Sequence, residues 1–268
     1  MAIKSDFMAT IPPLTRLSAP TFEPEAEAVY RAALDALEAA RVPYLLGGAL
    51  ALNAHSGVWR DTKDLDVFVR PEDARPALDA LAESGFTSEL VYESWLGKGW
   101  KGDVFVDVIW RNANALFPVT DEWLARPARV SVLGREAPVV PLEELLVSKM
   151  MVMGRYRFDG ADMLHVLYMA ADAVDWDRLA RLCGEHIGIM VAHMQVFRWA
   201  YPAQRDKVPL AVLARYAALA EGAQSSMGPF RGRLIDIQSF EVDVQEWGMP
   251  DPHRLALERI FGTSEGRS

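Results

Sequence analysis

The chain has 268 residues, 51% of them hydrophobic, and a formal net charge of −9 at pH 7. That length and apolar content suffice for a large core in one domain or two lobes, and the acidic balance argues against an extended nucleic-acid footprint, which needs a basic surface. A single cysteine, Cys183, excludes an internal disulfide framework and a cysteine-based zinc site.

Residues 1–23, rich in Pro, Ser and Thr, predict an irregular leader. Pro24 suits a helix start, and Glu25–Ala40 carries apolar residues at helical spacing. Tyr44-Leu45-Leu46 reads as a strand that ends in the tight turn Gly47-Gly48 and opens an Ala/Leu-rich helix. The next strand is Asp64-Leu65-Asp66-Val67-Phe68-Val69. Pro71 then opens a helix to about Ser84, stopped by Gly85. Further strands are expected at Phe86–Tyr92, Asp103–Trp110, and Val130–Val132 with Val139-Val140. From Pro141 the pattern is mainly helical, over Glu143–Met153, Asp159–Ala171, Trp176–Trp199 and Leu210–Glu221. The expectation is an α/β (α+β) fold: a small mixed sheet flanked by helices over residues 24–140, followed by a mainly helical carboxyl-terminal lobe over 141–268. Met1–Phe7 holds no apolar signal core, and no run approaches the roughly twenty apolar residues of a membrane span. A cytoplasmic protein without membrane contact is expected.

Three aspartates carry the chemistry. Successive strand side chains point to opposite faces, so Asp64 and Asp66 share one face while Leu65, Val67 and Val69 take the other. Asp107, in Val106-Asp107-Val108-Ile109, can join them from a neighbouring strand. Clustered acids in apolar strands repel one another and are costly to desolvate, which calls for a compensating cation. Hard, oxygen-seeking Mg²⁺ fits best. Upstream, the turn Gly47-Gly48 lets the backbone approach a ligand, and the unpaired N–H groups of the following helix can hold phosphate oxygens. Arg60-Asp61-Thr62-Lys63 stands between this turn and the acids.

With Gly47-Gly48, Asp64-x-Asp66 and Asp107 in this order, the chain resembles the polymerase-β-like nucleotidyltransferase superfamily. The local form Arg60-x-Thr62-x-Asp64-x-Asp66 is similar to the AbiEii-type and minimal nucleotidyltransferases of bacteria, which include toxins of toxin–antitoxin pairs. Pro141–Met150, with Lys149, followed by Arg155-Tyr156-Arg157-Phe158-Asp159-Gly160-Ala161-Asp162, is similar to that group's lysine helix and Arg/Asp-rich segment. The resemblance covers roughly residues 27–170. It implies transfer of a nucleoside monophosphate from a nucleoside triphosphate to an acceptor hydroxyl, with Asp64, Asp66 and Asp107 holding two Mg²⁺ ions and acting in catalysis. Nucleotide contacts are implied for Gly47, Gly48, Arg60, Thr62, Lys149 and Asp162, with either Asp159 or Asp162 in the family's acidic position. The acceptor is left open among tRNA, protein and a small molecule, and a cognate antitoxin is a candidate partner.

Each group also has a structural reading. Lys149 sits near a helix end, where a lysine complements the dipole, and Arg155 and Arg157 either bind triphosphate or pair with Asp159 and Asp162. Trp95, Trp100 and Trp110 either stack a base or pack. The histidines show no paired metal-ligand spacing. A haloacid-dehalogenase-type phosphatase asks for Thr or Val where Phe68 stands, a glycosyltransferase holding a sugar nucleotide through Asp-x-Asp and a metal is a weaker alternative, and the more serious one is a nucleotidyltransferase-fold module that binds nucleotide or a protein without turnover.

Overall fold

The computed structural model describes residues 16–262; most of the expected leader, residues 1–15, lies outside them. β1 (Arg16–Leu17) pairs with β3 (Val58–Trp59), and α1 (Pro24–Ala39) follows. Pro24 presets the first turn of α1 and Glu25 and Glu27 complement its positive end. Val29, Tyr30, Ala33, Leu34 and Leu37 form the buried stripe that packs on α3 and β7.

β2 (Leu45–Leu46) leads through the glycine turn into α2 (Gly48–Ser56), then β3 and β4 (Asp64–Phe68). A short 3₁₀ turn at Pro71–Asp73 precedes α3 (Ala74–Glu83), followed by β5 (Thr87–Tyr92), β6 (Leu96–Lys101) and β7 (Val104–Ile109). After α4 (Asp121–Leu124), β8 (Ala128–Val132) and β9 (Arg135–Val139) complete a seven-stranded mixed sheet of order β5-β6-β7-β4-β2-β9-β8. β4 runs parallel to β7 and antiparallel to β2, which is parallel to β9.

The expected elements are present with shifted ends, except where glycine intervened. β6 was not expected, because Gly97 and Gly99 weaken any strand signal. Their role is space: a Cβ on Gly97 would lie 2.7 Å from Leu78 Cδ1 and one on Gly99 2.8 Å from Leu81 Cδ1, so only glycine lets α3 lie this close to the sheet.

The remaining elements are helices: α5 (Leu142–Met150), α6 (Gly160–Ala170), α7 (Trp176–Cys183), α8 (Ile187–Ala200), α9 (Leu210–Gly222), α10 (Glu241–Gln245) and α11 (Pro252–Phe261). The single helix expected over Trp176–Trp199 is two, separated at Gly184, whose φ of +51° breaks the right-handed run. α11, led by an Asp251 cap that accepts from His253 N and Arg254 N, was not anticipated. Met163, Val166 and Leu167 of α6 pack with Met190, Met194 and Phe197 of α8 in the core. Among the described residues no helix is long and apolar enough to cross a membrane.

Candidate active site

The alternation in β4 decides the site. Leu65 and Val67 are fully buried, which turns Asp64 and Asp66 to the opposite face. The parallel register sets Asp66 beside Asp107, and one carboxylate oxygen from each of Asp64, Asp66 and Asp107 lies within 4.8 Å of the others. Burial, then repulsion from Asp64 and Asp107, pushes the Asp66 carboxyl up to about 7, against the pull of Arg157 and Lys149. Asp107 is also raised, mainly by burial, with Lys98 opposing. The field of the trio reaches Tyr30 on α1, whose hydroxyl is raised to about 12 by burial and by these three acids.

The glycine turn is fitted to the acids. Gly48 has φ +49°, and a Cβ there would fall 1.7 Å from Asp66 Oδ2. A side chain at this position would have to displace the Asp66 carboxylate from a strained backbone, and with glycine the turn offers backbone only. Gly47 donates its N–H to Asp66 O and stands against the Phe68 ring. The first turn of α2 has no side-chain cap, which leaves its N–H groups for an anion. Thr62 donates its hydroxyl to Asp64 Oδ1 at 2.6 Å and so fixes that carboxylate.

A cleft of about 820 Å³ gathers Gly48, Arg60, Thr62, Asp64, Asp66, Asp107 and Lys149 on its walls. Two expected nucleotide contacts lie elsewhere. Gly47 faces the sheet, and Asp162 sits behind the cleft wall, 3% exposed, engaged by Lys149 and, at 3.4 Å, by Arg60. Lys149 is itself buried and donates to Asp159 at 2.8 Å and to Asp162 at 2.7 Å. Both acids of the Arg/Asp-rich segment thus serve one ammonium, which explains why sequence left the choice between Asp159 and Asp162 open. Arg157 reaches Asp159 at 3.4 Å but stays largely exposed at the cleft mouth.

Residues 28–187 match the nucleotidyltransferase family described as uncharacterised nucleotidyltransferase. The chain belongs to that family. No curated protein matches the sequence significantly. Among solved structures, an antigenic nucleotidyltransferase-like protein from Paracoccidioides brasiliensis is 13% identical, with 71% of this chain and 94% of that one covered and a TM-score of 0.43. A lincomycin-bound lincosamide antibiotic adenylyltransferase is 18% identical, covering 53% of this chain and 95% of that one, with a TM-score of 0.37. The antibiotic-resistance factor ANT(2″)-Ia in complex with adenylyl-2″-tobramycin is 17% identical, covering 72% and 98%, with a TM-score of 0.38.

This family member has site residues that sequence reasoning passed over. Lys98 Nζ lies 2.5 Å from Asp107 Oδ1 and 3.9 Å from the centroid of the Phe105 ring. The signal was present in Gly102-Asp103, a two-residue hairpin turn that puts Lys98 directly opposite Asp107. The cleft's far wall, Arg233–Gln238, was also missed; Asp236 accepts there from Arg155 N, Gln238 N and Ser239, which hold its carboxyl down at about 2. Among the described residues one ammonium pairs with one of the three acids while Arg157 and Lys149 act from farther off, which leaves an excess of negative oxygen donors. That set fits a hard divalent cation.

Proposed function

We propose that this family member transfers a nucleoside monophosphate from a nucleoside triphosphate to an acceptor hydroxyl and releases pyrophosphate. The observation that carries the reading is the convergence of Asp64, Asp66 and Asp107 beside an uncapped helix start in one cleft. Asp64 and Asp66 would hold two Mg²⁺ ions, with Asp107 completing the second site. Bound there, the ions supply charge neutralisation at the α-phosphoryl group and lower the pKa of the acceptor hydroxyl.

The chain's own groups do the rest. The α2 N-terminus at Gly48 takes the β and γ phosphates, with Arg60, Arg155 and Arg157 adding positive charge along the cleft. Thr62 keeps Asp64 in its ligating orientation, and the Lys149–Asp159–Asp162 cluster holds α5 and α6 against the cleft. The acceptor oxygen bonds to the α-phosphorus as the bond to the bridging oxygen breaks; pyrophosphate leaves, and Asp107 accepts the hydroxyl proton.

The same proposal includes the finer kinship and setting. It covers an AbiEii-type relationship, carried by Arg60-x-Thr62-x-Asp64-x-Asp66, lobes at 24–140 and 141–268, action in the cytoplasm and a toxin role with a cognate antitoxin. The acceptor is tRNA, protein or a small molecule. Incubation with each α-labelled nucleoside triphosphate, Mg²⁺ and host lysate should place label in one of these pools, and growth arrest on expression tests the toxin role. Absence of label with every nucleotide would refute transfer.

Lys98 favours a second reading. An ammonium already seated on Asp107 suits a module that binds nucleotide or a protein partner without turnover. Binding of nucleoside triphosphate with Mg²⁺ and no pyrophosphate release across candidate acceptors would establish that reading.

A further inference from the structure

Just past the strand that supplies Asp107, one more side chain lines the cleft. Val106 and Val108 are buried in the core while Asp107 and Ile109 line the cleft, as the two-residue period of β7 requires, and in the bend that follows Trp110 is buried and Arg111 lines the cleft. Arg111 follows Asp107 by four residues and lies just past the end of β7 at Ile109. The glycine turn lies level with Asp66, on the side of β4 away from β7. Arg111 therefore stands past the end of β7, with β4 between that strand and the glycine turn.

Its charge has no partner. Arg111 is half-buried, and among the described residues its guanidinium has neither an ion pair nor a hydrogen-bond acceptor. Burial lowers its pKa and no acid opposes that effect. The other basic side chains of the cleft differ: Arg60 reaches Asp162, Lys149 and Arg157 reach Asp159, and Arg233 is paired with Asp251. Arg155 is exposed and lies over the Tyr156 ring. Water solvates an exposed guanidinium; a half-buried one without an acid keeps an unmet demand for an anion.

The support is built to hold Arg111 in place. Next to it, Asn112 Nδ2 donates to Ser148 O at 3.1 Å on α5, and Asn114 Nδ2 donates to Leu234 O at 3.0 Å in the far wall. Leu234 lies beyond residues 28–187, so this end of the cleft uses sequence outside the family match.

We propose that Arg111 receives an anionic group, phosphate or carboxylate, of the acceptor molecule, at the end remote from the hydroxyl that is modified. The inference rests on the nucleotidyl-transfer reading, because the nucleotide's own anionic groups belong at the glycine end. It also sets the acceptor class: an anionic hydroxyl compound is selected, and a polycation meets like charge.

The test uses the full chain labelled with ¹⁵N-arginine and saturated with Mg²⁺ and a non-hydrolysable ATP analogue. Glycerol 3-phosphate, glycerate, glycerol and glucosamine are then titrated separately. The Arg111 Nε–Hε resonance, identified by its loss in Arg111→Gln, should shift saturably with glycerol 3-phosphate or glycerate and not with glycerol or glucosamine. The tighter of the two anions says whether phosphate or carboxylate is taken. In Arg111→Gln the anion's Kd should rise about tenfold or more, the effect of losing a bond to a charged group, while the Kd of the ATP analogue stays within about twofold. Three results overturn the proposal: a resonance indifferent to both anions, unchanged anion affinity in the variant, or an equal loss of ATP-analogue affinity, which would assign Arg111 to the nucleotide. Where the ATP analogue does not bind, the GTP, CTP or UTP analogue that does takes its place, and failure of all four to bind the wild-type protein, read before any acceptor probe is added, overturns the nucleotidyl-transfer reading beneath it.

Discussion

Two acidic clusters stand at one cleft, the trio on its wall and Asp159 with Asp162 at and behind it, and their charges are balanced differently. Of Asp64, Asp66 and Asp107 only Asp107 has an ion-pair partner among the described residues, Lys98, and Asp66 is pushed up to about 7. Asp159 and Asp162 share Lys149, with Arg157 and Arg60 adjoining, and Asp159 is held below the usual carboxylate range although burial alone would raise it. The contrast shows how to tell a site from a brace. Where fixed charges balance, the group stabilises the fold; where an excess persists, the structure is shaped for a charge that arrives from outside.

Removing an acid from the unbalanced cluster breaks that contrast most directly. Asp66→Asn should reduce Mg²⁺-dependent label transfer by at least about a thousandfold, as loss of electrostatic stabilisation at the reacting group implies. Circular dichroism should show the fold intact, and the metal-free variant should melt no lower than wild type, since a repulsive charge has gone. Wild-type turnover would mean that the trio is not the metal site.

The balanced cluster should respond in stability. Lys149→Met leaves two buried carboxylates without their ammonium, which costs about 3–5 kcal/mol. Urea unfolding measures it. A loss of nucleotide affinity with unchanged stability would instead give Lys149 the direct contact that the resemblance implied.

Lys98 sharpens the comparison, because among the described residues it is the one cation in an ion pair with a member of the acid trio, Asp107. Lys98→Met should tighten Mn²⁺ binding at the trio by roughly tenfold, through loss of like-charge repulsion, as measured by electron paramagnetic resonance. Weaker binding would show that Lys98 holds Asp107 in its ligating orientation.

The smallest effect belongs to Asp236, which fastens the far wall to the Arg155 backbone. Its folded pKa of about 2 lies below the unfolded value, so its contribution is complete above the ordinary aspartate range and is lost as pH falls through about 2. Protection of the Arg155 amide from hydrogen exchange should persist to that acid limit in wild type and be weakened at all pH values in Asp236→Asn.

Much of the fold was legible because local rules carried it. Pro24 and the apolar spacing marked α1, and the alternation Asp64-Leu65-Asp66-Val67 showed which side chains face away from the core. Glycine hid other elements: Gly97 and Gly99 obscured β6, although their absent side chains are what admit α3, and Gly184 cuts a helix whose apolar pattern runs on unbroken. The candidate site was legible in its acids and in Gly48. Lys98 was hidden with its strand, and Arg111 looked like any basic residue in a loop.

The amino-acid order alone determined the acid trio, the glycine turn and the strands and helices that carry them, because the direction of a side chain along a strand is set by its immediate neighbours in the chain. Tertiary structure alone decided which charges are paired, that Lys149 serves both Asp159 and Asp162, that Arg233–Gln238 closes the cleft, and that Arg111 is left without an acid. Coulomb pairing depends on distance through space, and no spacing in sequence fixes that distance until the sheet and the helices have packed.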